Sequence, residues 1–175
     1  MSYGKERLGS RLDRMIERLT TQRACLDYAA TQIENMPGPL LELGLGKGRT
    51  FDYLRRRLPD REIFVFEKVI HAAPDCIPDQ QHLIMGHFLD TLPGAANRVG
   101  APAALVHADI GSEKRERDAT LAAAVTPLID ALVAPGSIVL GDREMQQPHW
   151  TPLPLPPGAG DWVYFLYRVG SPPPT

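Results

Sequence analysis

The chain has 175 residues, a formal net charge of −2, 43% hydrophobic and 23% charged residues, which are the proportions of one globular domain with room for a substantial core. A balance this close to neutral gives no electrostatic basis for gripping nucleic acid or an anionic membrane, and no apolar run approaches the roughly 20 residues of a membrane span. Cys25 and Cys76 stand far apart in no metal or redox spacing, the five histidines form no short-range metal motif, and the charged N-terminus lacks a signal peptide's apolar core. Together these indicate reduced thiols and a cytoplasmic protein.

Residues 5–34 read as helix. Leu8, Leu12, Met15, Ile16 and Leu19 form one apolar stripe, and Thr20-Thr21 can break it and cap a second helix carrying Leu26, Ala30 and Ile33. Pro37-Gly38-Pro39 ends the segment, so residues 1–38 are expected as a helical cap on a core of residues 39–175. Residues 40–50 are the centre of the chain: Leu-Leu-Glu-Leu-Gly-Leu-Gly-Lys-Gly-Arg-Thr. Leu40, Leu41 and Leu43 suit a short buried strand, Gly44, Gly46 and Gly48 alternate after it, and a helix follows with Phe51, Leu54 and Leu58 on one face. A glycine-rich strand-to-helix turn lets the backbone approach a ligand closely, and the helix N-terminus behind it offers unpaired N–H groups. A dinucleotide fingerprint would need its third glycine where Arg49 stands.

Ile63-Phe64-Val65-Phe66 reads as a second buried strand ending on Glu67, about 20 residues past the turn, where an acid can accept ribose hydroxyls; pairing with Lys68 on the surface is its other reading. Pro74 and Pro78 argue against helix in residues 71–81. A third strand over residues 82–86 ends at His87 and Phe88, and a short helix is expected over 91–98. Ala103 to Ala108 form a fourth strand ending at Asp109-Ile110-Gly111-Ser112, with Ser112 as N-cap of a long helix that Pro127 should kink. Residues 137–140 make a fifth strand ending at Gly141-Asp142-Arg143-Glu144. Five prolines between residues 146 and 160, with His149 and Trp150 among them, point to a stiff extended loop. Residues 162–169 are the strongest strand signal in the chain. Arg55-Arg56-Arg57 and Lys114-Arg115 with Arg117 read as solvated helix faces.

Glu42-x-Gly44-x-Gly46-x-Gly48 followed by Glu67 resembles the cofactor motifs of class I S-adenosylmethionine-dependent methyltransferases. The resemblance implies a three-layer α/β Rossmann-like sheet, mostly parallel with an antiparallel C-terminal strand, capped by N-terminal helices. It also implies S-adenosylmethionine as cofactor, contacted by Glu42, Leu43, Gly44, Gly46, Gly48, Arg49, Thr50, Glu67, Lys68, His87, Phe88, Asp109 and Ile110. By the same resemblance Arg23, with Gln22 and Tyr28, can approach the methionine carboxylate or the acceptor, or can be a surface residue of a packing helix. Phe88 can stack on adenine or belong to the core.

The Asn-Pro-Pro-Tyr signature of amino methylation is absent after the fourth strand, which favours an oxygen acceptor. Asp109 and Asp142 end neighbouring strands, as in the catechol-type O-methyltransferases that this arrangement resembles, where carboxylates at those places hold a divalent cation such as Mg2+. Arg143 departs from that pattern, because a guanidinium repels a cation and suits an anionic substrate. Without metal, Asp109, His87 or His149 remains as base, and N-capping or turn formation is the alternative role of Asp109 and Asp142. The expected closing hairpin of that family shows only one confident strand here. The reading is therefore a small-molecule O-methyltransferase with a small-molecule partner and a homodimer through the first helix or last strand. A non-catalytic S-adenosylmethionine-binding sensor and a nicotinamide-dependent oxidoreductase are the alternatives.

Overall fold

The structure, a computed structural model, describes residues 9–174. Seven strands form one sheet: β1 Leu40–Leu43, β2 Ile63–Glu67, β3 Leu83–Met85, β4 Ala103–Ala108, β5 Val133–Gly141, β6 Trp150–Leu153 and β7 Phe165–Val169, in the order β3-β2-β1-β4-β5-β7-β6. β1 to β5 pair in parallel, while β7 is antiparallel to β5 and β6 antiparallel to β7. The chain first steps outward from β1 to β3 and then returns to the other side of β1. That reversal leaves the carboxyl ends of β1 and β4 side by side without a crossover between them, the place where open α/β sheets bind ligands.

Helices cover both faces. α1 Arg11–Gln32 and α2 Arg49–Arg57 lie on one, where Cys25, Leu26, Ala29 and Ile33 pack with Leu40, Val65, Leu105 and Leu140. α3 Phe88–Thr91, α4 Ala95–Val99 and α5 Arg115–Asp130 lie on the other, where Val125 and Ile129 meet Leu41, Leu43 and Phe66. Strands covered on both faces bury every side chain, so β1 and β4 read as continuous apolar runs. The exceptions, Glu42 and His107, are both fully buried.

Several expectations are corrected. α1 runs unbroken through Thr20-Thr21, because Thr21 is buried and its hydroxyl accepts the Gly160 N–H at 3.0 Å instead of capping a new helix. Its start is set by Ser10 and Asp13, which exchange reciprocal capping bonds; Leu8 lies outside the described residues. Leu12, Met15 and Ile16 remain exposed, so the apolar stripe packs only from the middle of the helix onward. Ser112 does not cap α5, which starts from Lys114; its hydroxyl instead donates to Asp118 at 2.7 Å and accepts the Lys114 N–H. The proline-rich segment contains β6, since an edge strand tolerates Pro152, and with β7 it forms the closing hairpin not visible in the sequence. β7 has neighbours on both sides and offers no edge to a second copy.

Candidate active site

The glycine turn leaves β1 at Gly44, whose φ of +90° and contact with the Asp109 carbonyl exclude any side chain. At its tip Gly46 has φ +51°, and nothing lies within 4 Å of where a Cβ would stand, so the backbone there faces open space. Gly48 begins α2. Glu67 at the end of β2 holds this turn: Oε2 accepts from the Leu45 and Gly46 N–H groups at 2.8 and 3.2 Å, and Oε1 from Lys68 and Val69 at 2.8 and 3.3 Å. With two bonds on each oxygen, Glu67 would reach ribose hydroxyls only by releasing some of these amides.

Asp109 and Asp142 close the neighbouring strand ends. Asp109 accepts from the Arg18 guanidinium at 3.2 Å and from the Gln22 amide at 3.3 Å, both carried by the part of α1 nearest this edge. Asp142 accepts from the Ile110 N–H at 3.1 Å, the Gly111 N–H at 3.0 Å and Arg143 at 3.2 Å. Burial and the nearby Asp109 charge push its carboxyl up to about 6, against the pull of Arg143 and the amides. Arg143 also donates to Asp118 at 2.8 Å and to the Ser112 carbonyl at 3.0 Å. Asp118 is held below the usual carboxylate range although burial opposes it, because the Ser112 and Arg143 bonds outweigh that cost. Arg143 therefore fastens the loop after β4 and is not an open receptor for an anionic substrate.

Behind these groups lies a buried polar chain. Glu42 and His107 are register partners on β1 and β4, with Nδ1 of His107 3.5 Å from Oε1 of Glu42. The Thr50 hydroxyl donates to the same oxygen, while Glu42 Oε2 has no partner. On the other side His107 Nε2 lies 2.5 Å from the Tyr164 hydroxyl and 3.5 Å from the Gln22 amide nitrogen. Glu42 and Thr50, both expected at the cofactor, thus contact each other within the core. His107, Gln22, Arg18 and Tyr164 were not singled out as a set by sequence. The signal was there: one acid and one histidine interrupt two otherwise apolar strands at matching positions.

The other expected residues divide. His87 stands exposed before α3, and Phe88, half-buried, packs against the core cluster beneath it. Leu43 is core, Arg49 and Lys68 are exposed beside the turn, and Ile110 contributes its N–H to Asp142. His149 is corrected: it precedes β6, which pairs antiparallel with β7, and so sits at the amino edge of the parallel strands. There Nε2 lies 2.9 Å from Asp130, at the end of α5, far in the fold from Asp109. Arg23 is exposed on α1 and lines an open hollow of about 400 Å³ with Thr20, Asp27, Tyr28 and Pro156.

The residues suit S-adenosylmethionine. The open backbone at Gly46, the N-terminus of α2 and the orphaned carboxylate oxygen of Glu42, which lacks a donor, are what a polar, cationic ligand would complete. They do not suit a cation between Asp109 and Asp142. Both carboxylates are paired with arginines, and among the described residues no group of three His, Cys, Asp or Glu side chains can hold a metal.

Comparison with known proteins agrees with this geometry. A family described as S-adenosyl-L-methionine methyltransferase matches residues 9–169. A crystal structure of an S-adenosyl-L-methionine methyl transferase from Silicibacter pomeroyi is 43% identical, with TM-score 0.86 over 93% of this chain and 99% of that one. Among remoter structures, the mycinamycin methyltransferase MycE bound to Mg and S-adenosylhomocysteine is 14% identical with TM-score 0.57, over 92% of this chain and 49% of that one. A putative caffeoyl-CoA O-methyltransferase from Staphylococcus aureus is 14% identical with TM-score 0.54, over 93% of both chains. These two share the fold alone. A search of curated proteins finds no match. With its glycine turn, sheet order and nearly full-length match pointing the same way, the chain belongs to the S-adenosyl-L-methionine methyltransferase family.

Proposed function

We propose that the protein transfers the methyl group of S-adenosylmethionine to a hydroxyl of a small molecule without a metal, and that Asp109 takes the hydroxyl proton. The observation that carries this reading is the position of Asp109: it ends β4 beside the glycine turn, is partly open to solvent, and is aimed by Arg18 and Gln22. What the cofactor supplies when bound is a methyl group on positively charged sulfur, which the acceptor's lone pair displaces in line. The S–CH3 bond breaks as the O–CH3 bond forms, and the proton passes to the carboxylate. The chain's own work is positioning and proton transfer. Gly44 to Gly48, Glu67 and the start of α2 hold the cofactor, while Asp142 keeps Ile110 and Gly111 in place beneath the acceptor. No second acid is needed, because the sulfur leaves neutral.

The test is calorimetric titration with S-adenosylmethionine and S-adenosylhomocysteine, with and without magnesium, followed by a screen of hydroxyl-bearing small molecules for S-adenosylhomocysteine release. Asp109→Asn should retain S-adenosylhomocysteine binding and lose turnover, and magnesium should change neither. Cofactor binding with no turnover on any acceptor would favour the sensor reading. A magnesium-dependent rate would overturn the role given to Asp109.

A further inference from the structure

We propose that the methyl acceptor is a molecule whose hydroxyl is carried on an uncharged, apolar body, and that this body binds between the overhanging start of α1 and the β6–β7 hairpin. This rests on the reading of the carboxyl edge as a methyltransferase site and names the class of molecule that the edge takes.

The argument begins with where apolar side chains meet water. Among the described residues eight large ones are exposed, by 37% to 67%, and all eight lie at or beyond the carboxyl edge of the sheet. Val69 follows the end of β2, Met85 ends β3, and Leu89 stands in α3 just after it. β6 runs in the same direction as β5, so Leu155, two residues past its end, reaches that edge as well. Val163 reaches it two residues before the antiparallel β7. Leu12, Met15 and Ile16 belong to the start of α1. That helix crosses the sheet, because Arg18 and Gln22 meet Asp109 at one edge and Arg61 holds the Ile33 carbonyl at the other. Leu12 therefore stands about 9 Å along the helix beyond Arg18, past the edge. The amino edge and the outer faces of α2 and α5 show none of the eight. Single exposed apolar residues need no explanation, but a set confined to one edge marks a binding surface.

The glycine turn divides the set. Val69, Met85 and Leu89 lie past β2 and β3, with Glu67 and on the far side of the turn from Asp109. The other five lie on α1 and the hairpin, the side left for the acceptor. The loop that carries Leu155 and Val163 is fastened to α1 by the Gly160 N–H on Thr21. Leu155 also lines a hollow of about 390 Å³ with Trp150, Tyr164 and Phe165, a volume suited to a small molecule. Charge separates the possible occupants. The guanidiniums of Arg18 and Arg143 are already paired with carboxylates, so an anionic acceptor finds neither free. A bilayer favours basic residues around the apolar ones, whereas Asp13 and Glu17 share these turns with Arg11 and Arg14. A second copy seated on the five would cover the approach to Asp109. An apolar body instead displaces water from the five side chains and leaves its hydroxyl at Asp109.

The test uses N-phenyl-1-naphthylamine, a neutral apolar fluorophore, added to the full chain with and without saturating S-adenosylhomocysteine. Its fluorescence should report one saturable site per chain that remains when the cofactor's place is filled. Ile16→Ser combined with Val163→Ser should weaken that site about tenfold, the scale of removing two apolar side chains from a contact, with S-adenosylhomocysteine affinity unchanged. Met85→Ser combined with Leu89→Ser should leave the probe site as it was. Absence of saturable binding, or equal affinity in the Ile16 and Val163 variant, overturns the proposal. So does a wild-type dimer in sedimentation that the same variant separates, because a second copy then occupies the surface. Wild-type binding to phosphatidylcholine vesicles that the variant abolishes overturns it as well. Among acceptors that turn over, KM should fall as the apolar body grows, and a KM that rises with it counts against the proposal. The methyltransferase reading is tested separately, by whether S-adenosylhomocysteine binds the wild type at all.

Discussion

The two edges of the parallel sheet lean on opposite charges, each with one exception: Arg143 on the Ser112 carbonyl at the carboxyl edge and Asp79 on the Gln81 and His82 N–H groups at the amino edge. At the amino edge, cations hold carbonyls: Arg61 donates to Gly38 and Ile33 at 2.7 and 2.8 Å, and Arg98 to Gln80 and Leu83 at 2.7 and 3.0 Å. At the carboxyl edge, carboxylates hold amides: Glu67 binds the glycine turn and Asp142 the loop after β4. Arginine fans several donors over neighbouring carbonyls and closes its edge. A carboxylate gathers N–H groups and leaves the other faces of its loop open to solvent, so the edge it organises remains able to receive a ligand. One edge is a seam and the other a mouth, although both are fastened by single side chains.

Substitutions can break or sharpen this contrast. The largest effect is expected from Glu67→Ala, which frees four amides at once; S-adenosylhomocysteine affinity should fall about a hundredfold by calorimetry, on the scale of two lost charge-assisted hydrogen bonds. Equal affinity would remove Glu67 from the mouth. Arg61→Ala, its counterpart in the seam, should cost about 2 kcal/mol in denaturant unfolding, with cofactor affinity unchanged in the folded protein.

A pH effect comes next. The Asp142 carboxyl sits at about 6 in the folded chain and 3.8 unfolded, so the native state binds more protons between those values. Its contribution therefore makes stability fall as pH rises from 3.8 to about 6, and Asp142→Asn should flatten that slope in thermal melts. A steeper slope would contradict the burial and charge argument. The smallest effect is expected from His149→Phe, which loses the bond to Asp130 at the seam: about 1 kcal/mol of stability, with turnover untouched. Lost turnover would return His149 to the mechanism.

What the sequence made legible follows from how local each signal is. β1, β2 and β4 are short apolar runs bounded by turns, and the glycine turn with Glu67 is a local spacing, so these were readable residue by residue. Pro152 hid β6, because proline disfavours strands except at an edge, and a one-dimensional reading does not say which strand lies at the edge. Thr21 reads as a cap, yet it is occupied by Gly160, a partner 139 residues away. The metal reading failed for a similar reason. Asp109 and Asp142 do end adjacent strands, but Arg18 and Gln22 reach Asp109 from a helix about 90 residues earlier, which no spacing rule connects. His107 was visible as an odd residue in an apolar strand; its meaning needed the register that sets it against Glu42.

Pro152 has one more consequence. The Gly170 N–H bonds to the His149 carbonyl, and His149 and Gly170 are opposite each other in the β6–β7 ladder, so alternate residues of β6 point their backbone groups away from the sheet. Within the strand those residues are Trp150 and Pro152. The Trp150 N–H is taken by the Gln147 carbonyl, and Pro152 has none to give. This outer strand thus presents no available amide donor along its length, so an incoming chain would meet only the outward carbonyls of Trp150 and Pro152 and could form at most half a ladder. The β6 edge of the sheet is thereby blunted against pairing with another chain, by the same proline that disguises the strand.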